Sequence, residues 1–296
     1  MSRSTLSTGL LQITVTAVLW GTAGPAVAVI GDLTTLGPTS IGFYRLAIAA
    51  TALAATRRFW AFLHTARAAP VRLLLAGVGL GVYQVLYFLA VVEAGVGVAT
   101  VVSLGLAPIV TTAWESARAR RRPGCRQTAT LAAGLGGLLL ITLAASGPAP
   151  SGTRPLLGLL AAVGSGLGYA ATTLVSRDLA QRGDPITLTG ATSVIGALAL
   201  LPLAAADGLA LPLAPGPLAL LGYVGVVATA VAYALFYAGL RTVPGSVAAV
   251  LTLLEPLVAA LLAVLVLAEP LSALTVIGGL LLLSAVAALY LRSQPG

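Results

Sequence analysis

Charged residues are scarce in this sequence, and lysine is absent. Only 8% of the 296 residues are charged, whereas soluble domains carry about 25%. The polar residues are too few to cover a surface that faces water, and the mean hydropathy of +1.03 agrees. This shortage excludes a soluble globular protein and predicts an integral membrane protein whose solvent is lipid.

Cysteine and histidine occur once each, as Cys125 and His64. One cysteine cannot form an intramolecular disulfide, and one of each is too few for a metal site. We find no Walker loop, HExxH motif or catalytic serine–histidine arrangement, so we expect no cofactor and no metal, and an enzyme is a remote alternative. The glycine-rich stretches 77–81 and 164–168 follow no strand, and they indicate helix packing rather than nucleotide binding.

What the sequence does contain is a series of ten apolar segments, each long enough to cross a bilayer about 30 Å thick. They lie at 10–30, 38–56, 71–92, 96–115, 128–146, 155–176, 185–206, 216–239, 244–267 and 271–291. The breaks between them are rich in Gly, Pro and Arg, which is typical of turns. The sequence therefore predicts an all-α integral membrane protein with ten transmembrane helices.

Arginine supplies all the positive charge and predicts the orientation. With the N-terminus inside, 14 of the 16 Lys+Arg residues fall on the cytoplasmic side, Arg154 falls outside and Arg45 lies within a span. The positive-inside rule then predicts a cytoplasmic (inner) membrane protein with both termini in the cytoplasm. A net charge of +8 suggests nucleic acid only in a soluble protein, so no nucleic-acid partner is expected here.

Three local features leave alternatives open. The basic run 118–126 could recruit anionic lipid instead of serving as a topology anchor. The small residues at 26–28 could end a cleaved signal peptide, but removal of the first span would invert the arginine pattern. Glu115 and Arg118 are expected to pair at the end of the fourth span.

The chain matches itself when it is shifted by 148 residues, half its length. The shift aligns Gly42 with Gly190, Gly77 with Gly225, Phe88 with Phe236, Gly97 with Gly245, Pro108 with Pro256 and Val110 with Val258. Five spans per half is an odd number, so residues 1–148 and 149–296 form two inverted five-helix repeats within one transmembrane domain. Inverted repeats are typical of secondary transporters, whose substrate site lies near the midplane between the repeats.

Three stretches resemble the drug/metabolite transporter superfamily, specifically its EamA-type ten-helix branch. They are AVLWGTAGPAVAVI (17–30), FYRLAIAA (43–50) and LLEPLVAALLAVLVLAEPL (253–271). The resemblance covers about 10–291, including the duplication. It implies export of amino acids or related small metabolites across the cytoplasmic membrane. It also implies a cavity surrounded by spans one to four and six to nine, with spans five and ten at the periphery.

Glu255 and Arg45 are ionisable residues within predicted spans. Glu255 lies ~16 Å along the ninth span, where a charge costs about 3 kcal/mol, so we expect it to face a polar cavity or a partner. Pro256 lacks an N–H and is expected to free the carbonyl of Thr252. Glu255 could bind a proton or an amino group, or it could be structural, either paired across helices or protonated. Arg45 could bind a substrate carboxylate, pair with Glu255, or snorkel to the outer surface.

Aromatic and polar residues at similar depth complete the candidate binding site. Tyr83, Gln84 and Tyr87 share one sector of the third span. The other candidates are Trp20, Tyr169, Tyr233, Tyr237 and Thr252. Thr252 and Ser103 are weaker candidates, because hydroxyls can bond their own helix backbone. Such residues are predicted to line an amphipathic cavity, although aromatic stripes also serve core packing.

The sequence thus predicts a secondary transporter that works by alternating access and exports a small zwitterionic metabolite. Its partners are expected to be this substrate, the lipid bilayer and, if transport is proton-coupled through Glu255, protons. One alternative is an exporter or facilitator of cationic drugs or sugar-linked metabolites, and another is a membrane subunit that does not transport. The oligomeric state is open, because Gly278 and Gly279 could pack against a second copy or a neighbouring helix.

Overall fold

The computed structural model describes residues 3–61, 67–145, 154–211, 213–267 and 272–293, and the regular secondary structure of these ranges is helical throughout. His64 lies outside the described residues. The α-helices are α1 (Arg3–Leu33), α2 (Pro38–Ala54), α3 (Pro70–Ala119), α4 (Cys125–Ala145), α5 (Pro155–Ala180), α6 (Pro185–Asp207), α7 (Pro215–Gly225), α8 (Ala232–Leu240), α9 (Gly245–Leu251), α10 (Leu254–Leu267) and α11 (Ala273–Ser293). A π-helix, Val226–Val231, joins α7 to α8. Among the described residues, eight continuous helical stretches are long and apolar enough to cross a membrane.

Proline sets where many of these helices begin. It occupies the first turn of α2, α3, α5, α6 and α7, where its missing N–H costs no intrahelical hydrogen bond. At α6 the preceding Asp184 adds a side-chain cap, because its Oδ2 accepts from the backbone N–H groups of Ile186 and Thr187 at 3.1 Å. The predicted span 185–206 therefore begins at the residue where α6 begins.

The 50-residue helix α3 is interrupted at Gly95, whose φ of 85° and ψ of 157° are not helical. In a straight helix, residues 13 apart lie about 20 Å apart along the axis. The hydroxyls of Tyr87 and Thr100 are nevertheless hydrogen-bonded at 3.0 Å. The chain therefore folds back at Gly95, and α3 consists of two antiparallel rods.

Glycine allows the helices to approach closely at several contacts. A Cβ built at Gly77 would lie 2.5 Å from Ile195 Cβ, and one at Gly225 would lie 2.5 Å from Ile48 Cβ. The helices α4 and α11 meet at Gly137, where a Cβ would lie 2.5 Å from the carbonyl oxygen of Gly278. Small residues at helix contacts are the usual basis of packing in membrane proteins, because the hydrophobic effect does not drive helices together in lipid.

The first and last helices lie side by side, since the hydroxyls of Thr14 and Tyr290 are 2.9 Å apart. The N-terminus of α1 and the C-terminus of α11 lie at the same end of the bundle. We call this end the terminal face. The half of the bundle on this side is densely packed, with Ile13, Leu240 and Leu251 all fully buried. Its buried hydroxyls include that of Ser193, which has no hydrogen-bond partner among the described residues.

Glu115 joins α3 to α9 at the terminal face. Its carboxylate accepts hydrogen bonds from the backbone N–H of Gly245 at 2.8 Å and from the hydroxyl of Ser246. The expected pair with Arg118 is wrong, because the one ion pair among the described residues joins Arg58 to Asp184. Glu115 instead satisfies N–H groups at the start of α9, where the helix dipole also favours a negative charge.

Candidate functional site

A cavity of about 190 Å³ lies between the middle of the bundle and the face opposite the terminal face. Eight of the ten residues proposed from the sequence line it: Trp20, Arg45, Tyr83, Gln84, Tyr87, Tyr169, Tyr233 and Glu255. They come from α1, α2, α3, α5, α8 and α10, so the fold brings together positions that are up to 235 residues apart in sequence (from 20 to 255). Ser103 and Ser165 complete the polar part of the lining.

One wall of the cavity is built from aromatic rings. The ring of Trp20 lies 4.9 Å from that of Tyr233 and 5.2 Å from that of Phe236, measured between centroids. The rings of Tyr83 and Tyr169 are 5.3 Å apart. Tilted pairs at these distances are favourable, so the wall is both apolar and held in place by its own contacts.

The tyrosine hydroxyls of this wall already have partners within the protein. Tyr83 and Tyr233 are hydrogen-bonded to each other at 2.7 Å. Tyr169 donates to Thr252 Oγ1 at 3.1 Å, and Tyr87 bonds Thr100 as described above. These tyrosines therefore present mainly their rings, and polar recognition of a ligand falls to other side chains.

Two buried polar atoms in the lining have no hydrogen-bond partner among the described residues: Trp20 Nε1, a donor, and Gln84 Oε1, an acceptor. The exposed fractions of these side chains are only 6% and 7%. An unsatisfied buried polar group costs about 1–3 kcal/mol. Water or a ligand that offers an acceptor to Trp20 and a donor to Gln84 would remove this cost.

Arg45 is anchored inside the bundle. Its Nε donates to Thr229 Oγ1 at 3.1 Å, and Thr229 is fully buried in the π-helix. Arg45 therefore reaches toward α7 and α8 and lines the cavity, which contradicts the alternative that it snorkels to the surface. It also forms no ion pair with Glu255 within 4.0 Å, since the ion pair at Arg58 is the one found among the described residues.

Glu255 lies beside a break in the helix. The predicted span 244–267 is divided between α9 and α10, and Glu255 is the second residue of α10. The expected free carbonyl at Thr252 is wrong, because this oxygen accepts from the backbone N–H of Glu255 at 3.0 Å. The chain tightens into a shorter turn there, as helix ends often do, and this turn takes up the acceptor that Pro256 leaves.

Tyr237 and Thr252 do not line the cavity. Tyr237 is 1% exposed and bonds Thr192 at 3.2 Å in the packed half. Thr252 lies behind Tyr169, and its own hydroxyl donates to the carbonyl of Ala249 at 3.0 Å. Both support wall residues rather than facing the cavity.

The sequence alone does not point to Thr229 or Ser165. Thr229 lies in an apolar run without charge or proline, and its importance depends on the π-helix. Ser165 lines the cavity and donates to the carbonyl of Tyr83 at 2.8 Å. The stretch 164–168 does indicate a close contact of helices at Ser165, because this serine lies between two glycines.

Comparisons with known proteins identify a family, two related transporters and a shared fold. Residues 7–143 and 156–291 each match the model of the EamA-like transporter family. The uncharacterized transporter YwfM of Bacillus subtilis (strain 168) is 33% identical over 251 residues, which cover 85% of this chain and 83% of that protein. The uncharacterized inner membrane transporter YicL of Salmonella typhimurium (strain LT2) is 27% identical over 292 residues, 97% of this chain and 96% of that protein. One solved crystal structure, 19% identical, shares the fold with a TM-score of 0.77 over 98% of this chain and 99% of that chain.

Proposed function

This chain belongs to the EamA-like transporter family, and we propose that it exports amino acids or related small zwitterionic metabolites by alternating access. Family membership makes it a multi-pass membrane transporter rather than an enzyme. One observation carries the proposal for the substrate: Arg45 and Glu255 line the same cavity without pairing with each other.

The two charges match the two ends of an amino acid. A guanidinium in an enclosed site binds a carboxylate through strong charge-assisted hydrogen bonds. A carboxylate in the same site binds an ammonium group, and each charge would otherwise be expensive at this depth in the membrane. The aromatic wall of Trp20, Tyr83 and Tyr169 then contacts the apolar side chain of the substrate.

The volume of the cavity favours a small substrate. At about 190 Å³ it is smaller than the roughly 300–1,000 Å³ typical of sites for drug-sized ligands. A cationic drug would also meet the positive charge of Arg45. These two features make cationic drugs and sugar-linked metabolites the second candidates.

The proposed architecture is ten spans in two inverted repeats, residues 1–148 and 149–296. The fold at Gly95 divides α3 into two rods, and these two, with α2 and the other helical stretches, make ten. The two family matches fall one in each half. The contact of Gly77 with Ile195 has a counterpart in that of Gly225 with Ile48, and a shift of 148 residues relates them within one position. With an even number of spans and the arginine pattern, both termini lie in the cytoplasm.

The test is uptake into liposomes that contain the purified protein. Wild type is expected to take up one or more labelled amino acids from a panel of the 20 found in proteins. Arg45→Gln is expected to lower uptake at low substrate concentration by about tenfold or more, since a hydrogen bond to a charged group contributes about 1.5–3 kcal/mol. Arg118→Gln, which neutralises an exposed arginine outside the cavity, is the matched control and should transport as wild type does.

Glu255→Gln and an imposed pH gradient test coupling to protons. If Glu255 carries a proton, uptake in wild type responds to the gradient and uptake in the variant does not. Wild-type uptake that ignores the gradient would make the protein a facilitator. Transport of organic cations with no transport of amino acids would overturn the proposed substrate class in favour of the second candidate.

A further inference from the structure

The π-helix Val226–Val231 places Thr229 in an unusual hydrogen bond. The hydroxyl of Thr229 donates to the carbonyl of Val224, five residues earlier, at 2.8 Å. In an ordinary α-helix a threonine hydroxyl reaches the carbonyl three or four residues earlier. Wider turns of this kind are rare and are frequent at functional sites.

This bond determines what the Thr229 hydroxyl can do for Arg45. A hydroxyl has a single proton to donate, and here Val224 receives it. Thr229 Oγ1 therefore serves Arg45 only as an acceptor for the Nε–H, at 3.1 Å. The result is a chain of two hydrogen bonds with one direction, from Arg45 through Thr229 to the backbone of α7.

The chain of bonds uses one of the five N–H donors of the guanidinium, the Nε–H. It leaves the four donors on the two terminal nitrogens for a ligand. These two nitrogens form the fork that binds a carboxylate through two parallel hydrogen bonds. Because Nε is held, the plane and direction of this fork are fixed by Thr229. Without this contact, the long side chain of Arg45 would be free to choose among its rotamers.

The backbone beneath this contact is also held closely. Gly225, which precedes the π-helix, approaches α2 so closely that a Cβ there would lie 2.5 Å from Ile48 Cβ and 3.4 Å from the carbonyl oxygen of Arg45. Thr229 itself is 0% exposed. The position of Thr229 relative to Arg45 is therefore set by the packing of α2 against the α7 end of the π-helix.

We propose that Thr229 is a positioning residue that aims the guanidinium of Arg45 and thereby sets the preference of the transporter for substrates with a carboxylate. The inference rests on the proposed function, since it requires Arg45 to bind the carboxylate of the substrate. Thr229 acts through Arg45 and does not line the cavity itself.

The experiment measures competition in the liposome assay. Uptake of a labelled amino acid from the panel is measured in the presence of an unlabelled competitor. The competitor is either the same amino acid or its α-amide, which keeps the amino group and lacks the carboxylate. In wild type the amino acid competes better than the amide. Thr229→Val removes the hydroxyl and keeps the branched shape. In this variant we expect the half-inhibition concentration of the unlabelled amino acid to rise about tenfold or more, as the loss of one hydrogen bond to a charged group predicts. The half-inhibition concentration of the amide and the maximal rate of uptake should stay unchanged.

Two further variants separate positioning from folding. Thr229→Ser keeps the hydroxyl and is expected to restore the preference, and Thr229→Ala replaces Thr229→Val if the latter does not fold. Thr111→Val is the matched control, because Thr111 is also fully buried but its hydroxyl bonds only carbonyls of its own helix. This control should keep the wild-type preference.

The outcomes distinguish this inference from the proposed function. If Arg45→Gln loses the preference and Thr229→Val keeps it, the positioning role is overturned and the carboxylate site stands. If Arg45→Gln keeps the preference, carboxylate binding by Arg45 fails and the role of Thr229 fails with it. Equal loss of amino acid and amide binding in Thr229→Val would show a merely structural role and would also overturn the inference.

Discussion

Replacing Gly137 with alanine tests how tightly α4 packs against α11. A Cβ at this position would lie 2.5 Å from the carbonyl oxygen of Gly278, 2.8 Å from Leu282 Cγ and 3.0 Å from the backbone nitrogen of Leu282. Two of these atoms belong to the backbone, so a side-chain rotation cannot relieve the contact and the helices must separate. Crowding of this kind costs about 1–3 kcal/mol.

The helix propensity of alanine offsets part of this cost, because glycine is up to about 1 kcal/mol less favourable in a helix. Gly136→Ala is the matched control, since it makes the same chemical change at the next residue. A Cβ at Gly136 would meet only Leu281 Cδ1, at 3.9 Å, an ordinary van der Waals distance. We expect the control to be neutral or slightly stabilising and Gly137→Ala to be less stable than the control by the full cost of crowding, about 1–3 kcal/mol.

The assay is thermal unfolding of the purified variants in one detergent, followed by far-ultraviolet circular dichroism, which reports the loss of helix. A change of 1 kcal/mol shifts the midpoint by about 2–4 °C for a chain of roughly this size, so Gly137→Ala should unfold about 2–12 °C below Gly136→Ala. A midpoint for Gly137→Ala that equals or exceeds that of Gly136→Ala would refute the close contact of α4 and α11.

Two further predictions concern helix ends. Glu115→Gln should lower the thermal midpoint by an amount that corresponds to about 0.5–2 kcal/mol, because α9 loses its charged cap. Arg118→Gln, which neutralises an exposed neighbour, should leave the midpoint unchanged. Equal effects of the two variants would contradict the cap. Gly95→Ala should destabilise the protein by about 1–3 kcal/mol, because φ 85° and ψ 157° lie in a region that only glycine occupies readily. Gly222→Ala is the control and should be tolerated, because Gly222 is helical and an added Cβ there would meet no atom within 4 Å. Equal stability of the two variants would contradict the fold-back at Gly95.

The sequence predicts the helices well because two local signals coincide. Apolar runs give the approximate extent of each helix, and proline gives the start, so that the predicted spans 155–176 and 216–239 are observed within a few residues as Pro155–Ala180 and Pro215–Leu240. The break within the ninth span has only an ambiguous signal. Pro256 cannot donate to the carbonyl of Thr252, but a proline does not always divide a helix, since Pro25 lies inside the continuous helix α1. Leu251, Thr252 and Leu253 are themselves compatible with a continuous helix.

The candidate site is predictable in its charges but not in their partners. Arg45 and Glu255 stand out because an ionisable residue in an apolar run is expensive and must have a reason to be there. That they share a cavity without pairing depends on distances between helices, which no local pattern encodes. Thr229 is invisible for a different reason, since one hydroxyl in VVATAV carries information only when the π-helix turns it toward Arg45.

The partnerless hydroxyl of Ser193 affects how firmly the packed half is closed. A buried hydroxyl that lacks a hydrogen bond raises the free energy of the packed arrangement by about 1–3 kcal/mol. Ser193 is almost completely buried and has no hydrogen-bond partner among the described residues, so a water molecule that reached it would recover this energy. The recovered energy would offset part of the van der Waals attraction that holds α6 in the packed half. Hydration therefore favours opening of the terminal side of the bundle.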